Sequence, residues 1–342
     1  MTFAHPVIAI DDPSGIGEAR RQAAALAGRL GFDATALGRL SIAVTEMASN
    51  IFKHARHGKL LIRVIATDEA VAGLEVTGLD KGPGIVDVRE SLRDGHSTAG
   101  SPGTGLGALS RLGTDFQLYS EAGKGTVARF ESWSRAVAPG SPQPLREAMP
   151  QGAICSPLSG ESACGDDWTL VSRQDRCALF MVDGLGHGPE AAAAAHAAVA
   201  AVEQARDLDA EGLMRAVHAA LRETRGAAAA VAVLEPGRES CTFCGIGNIA
   251  FRIHAGGACR NMVSHNGILG HKVRKFQVFS YPFPLGALCI AHSDGIAPRW
   301  DLNNYPGLSA RHPSLVAGVL FRDHRRGRDD AAVVVVRNGA PR

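Results

Sequence analysis

The sequence carries no excess of either charge, no long apolar run, no cysteine framework and no periodic glycine, and each absence removes a class of protein. Thirty-six Lys and Arg stand against 34 Asp and Glu, a formal net charge of +2. That balance cannot supply the broad basic face on which phosphate-driven nucleic-acid binding depends, so no nucleic-acid partner is expected. The longest apolar stretch, residues 191–202, is rich in Ala and interrupted by His196. It falls well short of the roughly 20 residues that cross a bilayer, so no membrane partner is expected either. Residues 1–12 lack the basic start, apolar run and small-residue cleavage site of a secretory signal. Seven cysteines, an odd number, suit a reducing cytoplasm better than a disulfide framework. Cys241 and Cys244 form a CxxC pair, but with no second pair at zinc-ribbon spacing and no His at finger spacing they read as structural thiols. Forty glycines without a Gly-X-Y period exclude collagen-like and low-complexity chains. A Gly-Lys-Ser/Thr phosphate loop is also missing, which excludes a P-loop NTPase.

What remains is ordinary globular composition, 45% hydrophobic and 20% charged over 342 residues. That length allows two packed cores. Between Arg135 and Gly152 the prolines at 139, 142, 144 and 150 remove too many backbone donors for a helix or a central strand. The expected organisation is therefore a two-domain α/β chain: one domain over residues 1–135, a Pro-rich linker over 136–152 and a second domain over 153–338.

In the first half, Leu40, Ala43, Val44, Met47 and Ile51 recur at helical spacing and predict a helix over residues 38–55 with an apolar stripe. Glu46, Asn50 and either Lys53 or His54 keep the same period, so a carboxylate, an amide and a cation share one side. Taken alone, this is a solvated helix face. Two short apolar strands follow over residues 59–65 and 73–78. The second runs into Asp80-Lys81-Gly82-Pro83-Gly84, which is either a simple turn or a carboxylate beside glycines that let a ligand approach the backbone. Gly103-Thr104-Gly105-Leu106-Gly107 precedes a helix over 108–112, where flexible glycines and exposed helical N–H groups make a phosphate cradle. Gly123-Lys124-Gly125-Thr126 then opens a strand over 127–130.

This order of motifs resembles the GHKL superfamily of ATP-binding domains. More narrowly, Thr45-Glu46-Met47-Ala48-Ser49-Asn50-Ile51, with His54-Ala55, Gly58-Lys59 and the segment GLGALSRLGTDFQLYSEAGKGT, resembles the small serine-protein kinases of bacterial partner-switching systems, the anti-sigma-factor and RsbT-type switch kinases. Histidine kinases are a poorer match, because no phospho-acceptor histidine helix pair precedes the site. The resemblance implies a GHKL (Bergerat) α/β sandwich, helices on one face of a mixed sheet, with ATP between them. It implies that Asn50 coordinates Mg²⁺, that Glu46 serves as base or orienter for the incoming serine hydroxyl, and that Asp80 accepts the adenine amino proton. Gly82 and Gly84 would leave room for the base, Gly103, Gly105 and Gly107 would wrap the triphosphate, and Thr126 would help hold the adenine. Phosphoryl transfer needs mostly positioning and charge neutralisation, which such a set supplies. Lys53 is open between added positive charge and a solvated lysine.

In the second half, Gly165-Asp166-Asp167-Trp168 leads into strand-like residues 169–172 and 178–182. Asp183-Gly184-Leu185-Gly186-His187-Gly188 puts a carboxylate at a strand end before a glycine-dense turn, and an Ala-rich helix starts near Pro189. Downstream, a strand over 288–292 ends at Ser293-Asp294-Gly295, and Arg328-Asp329-Asp330 precedes the apolar run 331–336. Each Asp-Gly alone is a hairpin turn. Four acidic strand ends together are what a hard divalent cation needs.

The set resembles the metal-dependent protein phosphatase (PPM) superfamily, and within it the compact SpoIIE and RsbX-type serine phosphatases. Over residues 155–337 the resemblance implies a PPM-type α-β-β-α sandwich holding two Mn²⁺ or Mg²⁺ between its sheets. Asp183 would bridge both metals at the catalytic centre and the Gly184 carbonyl would bind one of them. Asp166, Asp294 and Asp329 would complete the site, ahead of their neighbours Asp167 and Asp330. Two such cations lower the pKa of a shared water, giving a hydroxide for in-line attack on phosphoserine or phosphothreonine. His187 is open between general acid and turn former. No phosphate-binding Arg stands out, since Arg173 and Arg176 neighbour Asp166 only in sequence. The Gly245-Ile246-Gly247-Asn248 segment after the CxxC belongs to a core hairpin in the resembled fold.

Together the two resemblances imply a cytoplasmic, bifunctional serine/threonine kinase and phosphatase. Its phospho-substrate would be a STAS-domain antagonist protein, with a downstream effector or sigma-factor regulator as a further partner. The alternative is a phosphatase whose ATP-binding half regulates it or sequesters a partner without transferring phosphate.

Overall fold

Asp12 starts the first helix. Its carboxylate accepts the Ser14 N–H at 2.7 Å and Pro13 presets the first turn, so α1 spans Pro13–Arg29. Asp33 caps α2 (Ala34–Asn50) in the same way through the Ala36 N–H at 2.7 Å. The apolar stripe of α2 is buried as its period requires, at Leu40, Ala43, Val44, Met47 and Ala48. The helix then widens without a break into a π turn, Ile51–Ala55, closed by the Arg56 N–H on the Ile51 carbonyl at 3.1 Å. A wider turn moves later side chains off the 3.6-residue period. Lys53 and His54 on this turn are exposed.

The computed structural model describes residues 5–66, 71–92, 105–134, 149–173 and 175–339. The chain divides into two compact units, His5–Ser141 and Pro142–Arg342. In the first, β1 (Val7–Ala9), β2 (Gly58–Ala66), β3 (Ala72–Asp80), β4 (Asp115–Glu121) and β5 (Gly125–Trp133) form one sheet in the order β1-β2-β3-β5-β4. The helices α3 (Val88–Ser91) and α4 (Gly105–Leu112) lie in the connection between β3 and β4. Every neighbouring strand pair is antiparallel, which corrects the expected mixed sheet. The reason is the hairpin: β4 returns in the direction of β3 but at the edge, and β5 folds back into the space between them. Helices and sheet bury Leu40, Val44, Leu60, Leu74, Val76 and Phe130 together. Away from that core, Arg129 is buried with its guanidinium on Glu75, Asp115 and Glu131, and Arg63 reaches Glu75 at 2.9 Å.

The second unit contains two five-stranded sheets. The strands are β6 (Gln151–Ser156), β7 (Asp166–Arg173), β8 (Arg176–Gly184), β9 (Ala227–Glu235), β10 (Ser240–Ile246), β11 (Ala250–Ala255), β12 (Ala258–Asn261), β13 (Phe279–Pro282), β14 (Leu288–His292) and β15 (Ala331–Arg337). One sheet runs β13-β10-β9-β8-β7 and the other β12-β11-β14-β15-β6. Between them lies a core that includes Leu179, Met181, Phe243, Phe251, Cys289 and Val334. Helices α5 (Pro189–Gln204) and α6 (Ala210–Ala220) pack on the first sheet, and α7 (Pro313–His324) packs on β6 and β15. The result is an α-β-β-α sandwich. Ala191, Ala194, Ala195 and Ala198 are fully buried, and their small side chains let α5 lie close against β7 and β8.

The CxxC thiols behave as packing groups. Strand alternation sends Cys241 into the core between the sheets and Cys244 into the core beneath the helices, so the two cannot bond to each other. Burial raises both thiols, Cys244 to about 11. Among the described residues no helix is long and apolar enough to cross a membrane.

Candidate active sites

In the second unit the β7–β8 register sets Asp166 directly opposite Asp183. A residue further along, Asp167 points the other way, its Oδ2 lying 3.9 Å from His196 Nε2 of α5. Asp166 is buried, and its Oδ2 accepts the Ser293 hydroxyl at 2.5 Å. Ser293 Oγ itself accepts the Ala332 N–H at 3.0 Å, which ties β7, the end of β14 and the start of β15 to one carboxylate. Next to it, Asp294 Oδ2 accepts the Asn248 amide at 2.7 Å. A side chain at Gly295 would overlap the Asp330 carbonyl, so only glycine lets this turn approach the 329–330 corner so closely. Asp330 is committed to the backbone: Oδ1 accepts the Leu158 N–H and Oδ2 the Gly165 N–H, each at 2.6 Å. Asp329 is half-buried and holds only the Asp330 N–H, at 2.9 Å through Oδ1.

The electrostatics show what this crowding lacks. Burial, followed by the negative charges of Asp294, Asp329 and Asp330, pushes the Asp183 carboxyl up to about 8. Burial and Asp183 likewise hold Asp166 well above the usual carboxylate range. Burial and Asp329 raise Asp294, against the opposing pull of Arg326. Among the described residues, no three Asp, Glu, His or Cys side chains are gathered closely enough to hold a metal ion by themselves. An all-oxygen donor set short of positive charge fits a hard divalent cation with water filling the remaining positions.

The fold also places the arginines and the histidine near these motifs. Arg173 and Arg176 pair at the far end of the β7–β8 hairpin, about 20 Å of strand away from Asp166 and Asp183. They bind around Asp207 and cannot anchor a phosphate at the carboxylates. His187 Nδ1 lies 2.8 Å from Glu161 Oε1, which ties the glycine-dense turn to the loop pinned by Asp330. Ser293 and Asn248 lie in segments singled out in the sequence, but their partners, like that of Glu161, emerge only with the fold.

In the first unit, folding brings Asp80 and Thr126 together across 46 residues. Asp80 Oδ1 accepts the Gly82 N–H at 2.8 Å and the Thr126 N–H at 3.2 Å, which fixes the orientation of a half-buried carboxylate. Thr126 Oγ1 is 2.9 Å from Ser120 Oγ. The space at Gly82 is filled by Ala55, where a Cβ would stand 2.7 Å from its methyl carbon. At Gly84 (φ +71°) a Cβ would overlap the Glu121 carbonyl. Both glycines are thus required by the protein's own packing. Glu46 and Asn50 are half-buried on α2, and α4 packs against that helix. Helix α4 begins at Gly105, so Gly105 and Gly107 lie within its first turn and not ahead of it. Gly103 lies outside the described residues.

These features fit a two-part chain, an α/β sandwich of the GHKL kind followed by an α-β-β-α sandwich of the phosphatase kind. Residues 11–131 match the family described as histidine kinase-like ATPase domain, and residues 173–338 match stage II sporulation protein E (SpoIIE). The serine/threonine-protein kinase RsbT of Bacillus subtilis (strain 168) is 38% identical over 117 residues, 34% of this chain and 87% of RsbT. The phosphoserine phosphatase RsbX of the same organism is 27% identical over 138 residues, 40% of this chain and 69% of RsbX. A solved structure described as "The bacterial stressosome: a modular system that has been adapted to control secondary messenger signaling" superposes with a TM-score of 0.51 at 29% identity. The match covers 55% of this chain and 99% of that one. The chain belongs, through its first unit, to the histidine kinase-like ATPase family of RsbT-type serine kinases, and its second unit is similar to SpoIIE and to the phosphatase RsbX.

Proposed function

We propose that this protein both adds phosphate to and removes it from a serine or threonine of a STAS-domain antagonist protein in a bacterial partner-switching pathway, acting in the cytoplasm. The observation that supports this most directly is the joining of an RsbT-like and an RsbX-like half in one chain. Opposed activities covalently held at a fixed ratio make a set point for substrate phosphorylation.

In the first half, Asp80 and Thr126 would hold the adenine, Gly103, Gly105 and Gly107 the triphosphate, and Asn50 the Mg²⁺. Glu46, one α-helical turn before Asn50, would orient the substrate hydroxyl and take its proton. In the second half, Asp166, Asp183, Asp294, Asp329 and the Gly184 carbonyl would hold two Mg²⁺ or Mn²⁺. When bound, such ions supply a hydroxide nucleophile at neutral pH and neutralise phosphate charge. The chain's own contribution is orientation: Ser293 holds Asp166, Asn248 holds Asp294, and Asp330 fixes the loop that carries Gly165 beside Asp166.

The test uses a cognate STAS protein and two variants, Asp183→Asn and Asn50→Ala. Asp183→Asn should add labelled phosphate from Mg²⁺-ATP and fail to remove it, and Asn50→Ala should do the reverse. If Asp183→Asn transfers no phosphate while still binding ATP, the first half is a regulatory or sequestering module and the bifunctional reading is wrong.

A further inference from the structure

Beside the carboxylate site stands a cationic rim that the proposed chemistry does not use. The Leu185 N–H, two residues past Asp183, donates to the Gly226 carbonyl at 3.0 Å. This sets the 222–226 loop next to the glycine-dense turn. Arg225 lies over that turn: a methyl group at Gly186 would stand 3.3 Å from its Nη1. The 268–272 turn is joined to the same loop by the paired hydrogen bonds between Ala227 and Leu269, at 3.2 and 2.9 Å. It brings His271 against Gly226, where a Cβ would be 2.6 Å from the imidazole. His218 accepts the Gly270 N–H at 3.0 Å and is held below its usual pKa by burial and by the charges of Arg222 and His271.

Arg222, Arg225, His271 and Lys272 are all exposed, and Arg274 and Lys275 continue the same stretch of chain. The anionic groups beside them are Glu190, which pairs with Arg225, and Glu223. Both members of the Arg225–Glu190 pair are at least half exposed. A pair of that kind is weak and yields readily to a competing anion.

We propose that this rim is the docking surface for an acidic segment flanking the phosphoserine of the protein substrate, with Arg225 nearest the reacting centre. The inference rests on the phosphatase reading of the second half. It is favoured by continuity, since the backbone of the rim is hydrogen-bonded to the residue two places beyond Asp183. A protein of near-neutral net charge concentrates cations here, where a charged partner is steered and oriented.

The experiment compares two synthetic phosphoserine peptides, one flanked by Asp and Glu and one by Ala, with Mn²⁺ and the full chain. The wild type should favour the acidic peptide by about fivefold or more in kcat/KM at low salt, mainly through KM. The preference should shrink as salt rises. In Arg222→Ala/Arg225→Ala it should fall to less than twofold, and circular dichroism should show an unchanged fold. A wild type that treats both peptides alike, or a preference that survives the double substitution, overturns the proposal. If neither peptide nor p-nitrophenyl phosphate is hydrolysed, the phosphatase reading falls first and the docking surface with it.

Discussion

Asp166 and Asp183 are cross-strand partners in a single hairpin, and the Ser293 hydroxyl fixes Asp166 from the opposite sheet at 2.5 Å. The carboxylate pair therefore belongs to one sheet and its orientation to the other. This division of labour makes Ser293→Ala informative. Losing an outer partner of a ligand commonly weakens metal affinity by about 10-fold to 100-fold. The Mn²⁺ concentration for half-maximal phosphatase activity should rise by about that factor, with some activity recovered at high Mn²⁺. An unchanged Mn²⁺ titration would show that Ser293 only joins strands.

The crowding around Asp183 fixes the sign of a pH effect. With its carboxyl raised from 3.8 to about 8, the metal-free folded protein keeps a proton that the unfolded chain has released. Between those values, stability falls as pH rises, and it levels off above the folded value. In EDTA the Tm of the phosphatase transition should drop by several degrees across this window. The drop should be smaller in Asp183→Asn, whose amide does not titrate. A Tm that climbs with pH over the same range would contradict the assignment.

Asp80→Asn separates fold from ligand binding in the first unit. The asparagine retains an Oδ1 that can accept the Gly82 and Thr126 N–H groups, so thermal stability should change by less than about 1 kcal/mol. What disappears is the charge and the second carboxylate oxygen. ATP affinity measured by calorimetry should fall at least tenfold, and undiminished affinity would remove Asp80 from the nucleotide site.

Two glycines of the same hand give a matched steric test. Gly84 (φ +71°) and Gly123 (φ +79°) both lie in the left-handed region, but a methyl group meets nothing within 4 Å at Gly123 and overlaps the Glu121 carbonyl at Gly84. Gly123→Ala should cost about 1–2 kcal/mol from backbone strain alone. Gly84→Ala should cost clearly more and lower the first unfolding transition, as chemical denaturation would show.

Much of this was legible in the chain because the signals are periodic or terminal. The α2 stripe was readable at 3.6-residue spacing, and the acids at 166, 183, 294 and 329 stood where apolar strands begin or end. The different roles of Asp166 and Asp167 could have been read as well, since neighbouring strand residues face opposite ways. Ser293 and Asn248 were not readable, because a single hydroxyl or amide has no period and gains its role only when two sheets close. The π turn was hidden for a different reason: it depends on where the backbone must go after Asn50, not on any distinctive residue in Ile51–Ala55. The antiparallel order of the first sheet was invisible too, because a hairpin folding back beside an earlier strand leaves no trace in local composition.

The place of β15 has a consequence for how the protein is made. This strand lies inside its sheet, between β14 and β6, yet it follows the four other strands of that sheet in the chain. The strands of the first unit are complete by Trp133, so that unit can fold while the ribosome is still at work. Until residues 331–337 emerge, β6 and β14 have no shared neighbour, and each leaves an open edge of unpaired backbone groups. The nascent chain therefore acquires its nucleotide-binding half well before its second half, and a chain halted before Ala331 would carry a finished first unit beside an unfinished sandwich.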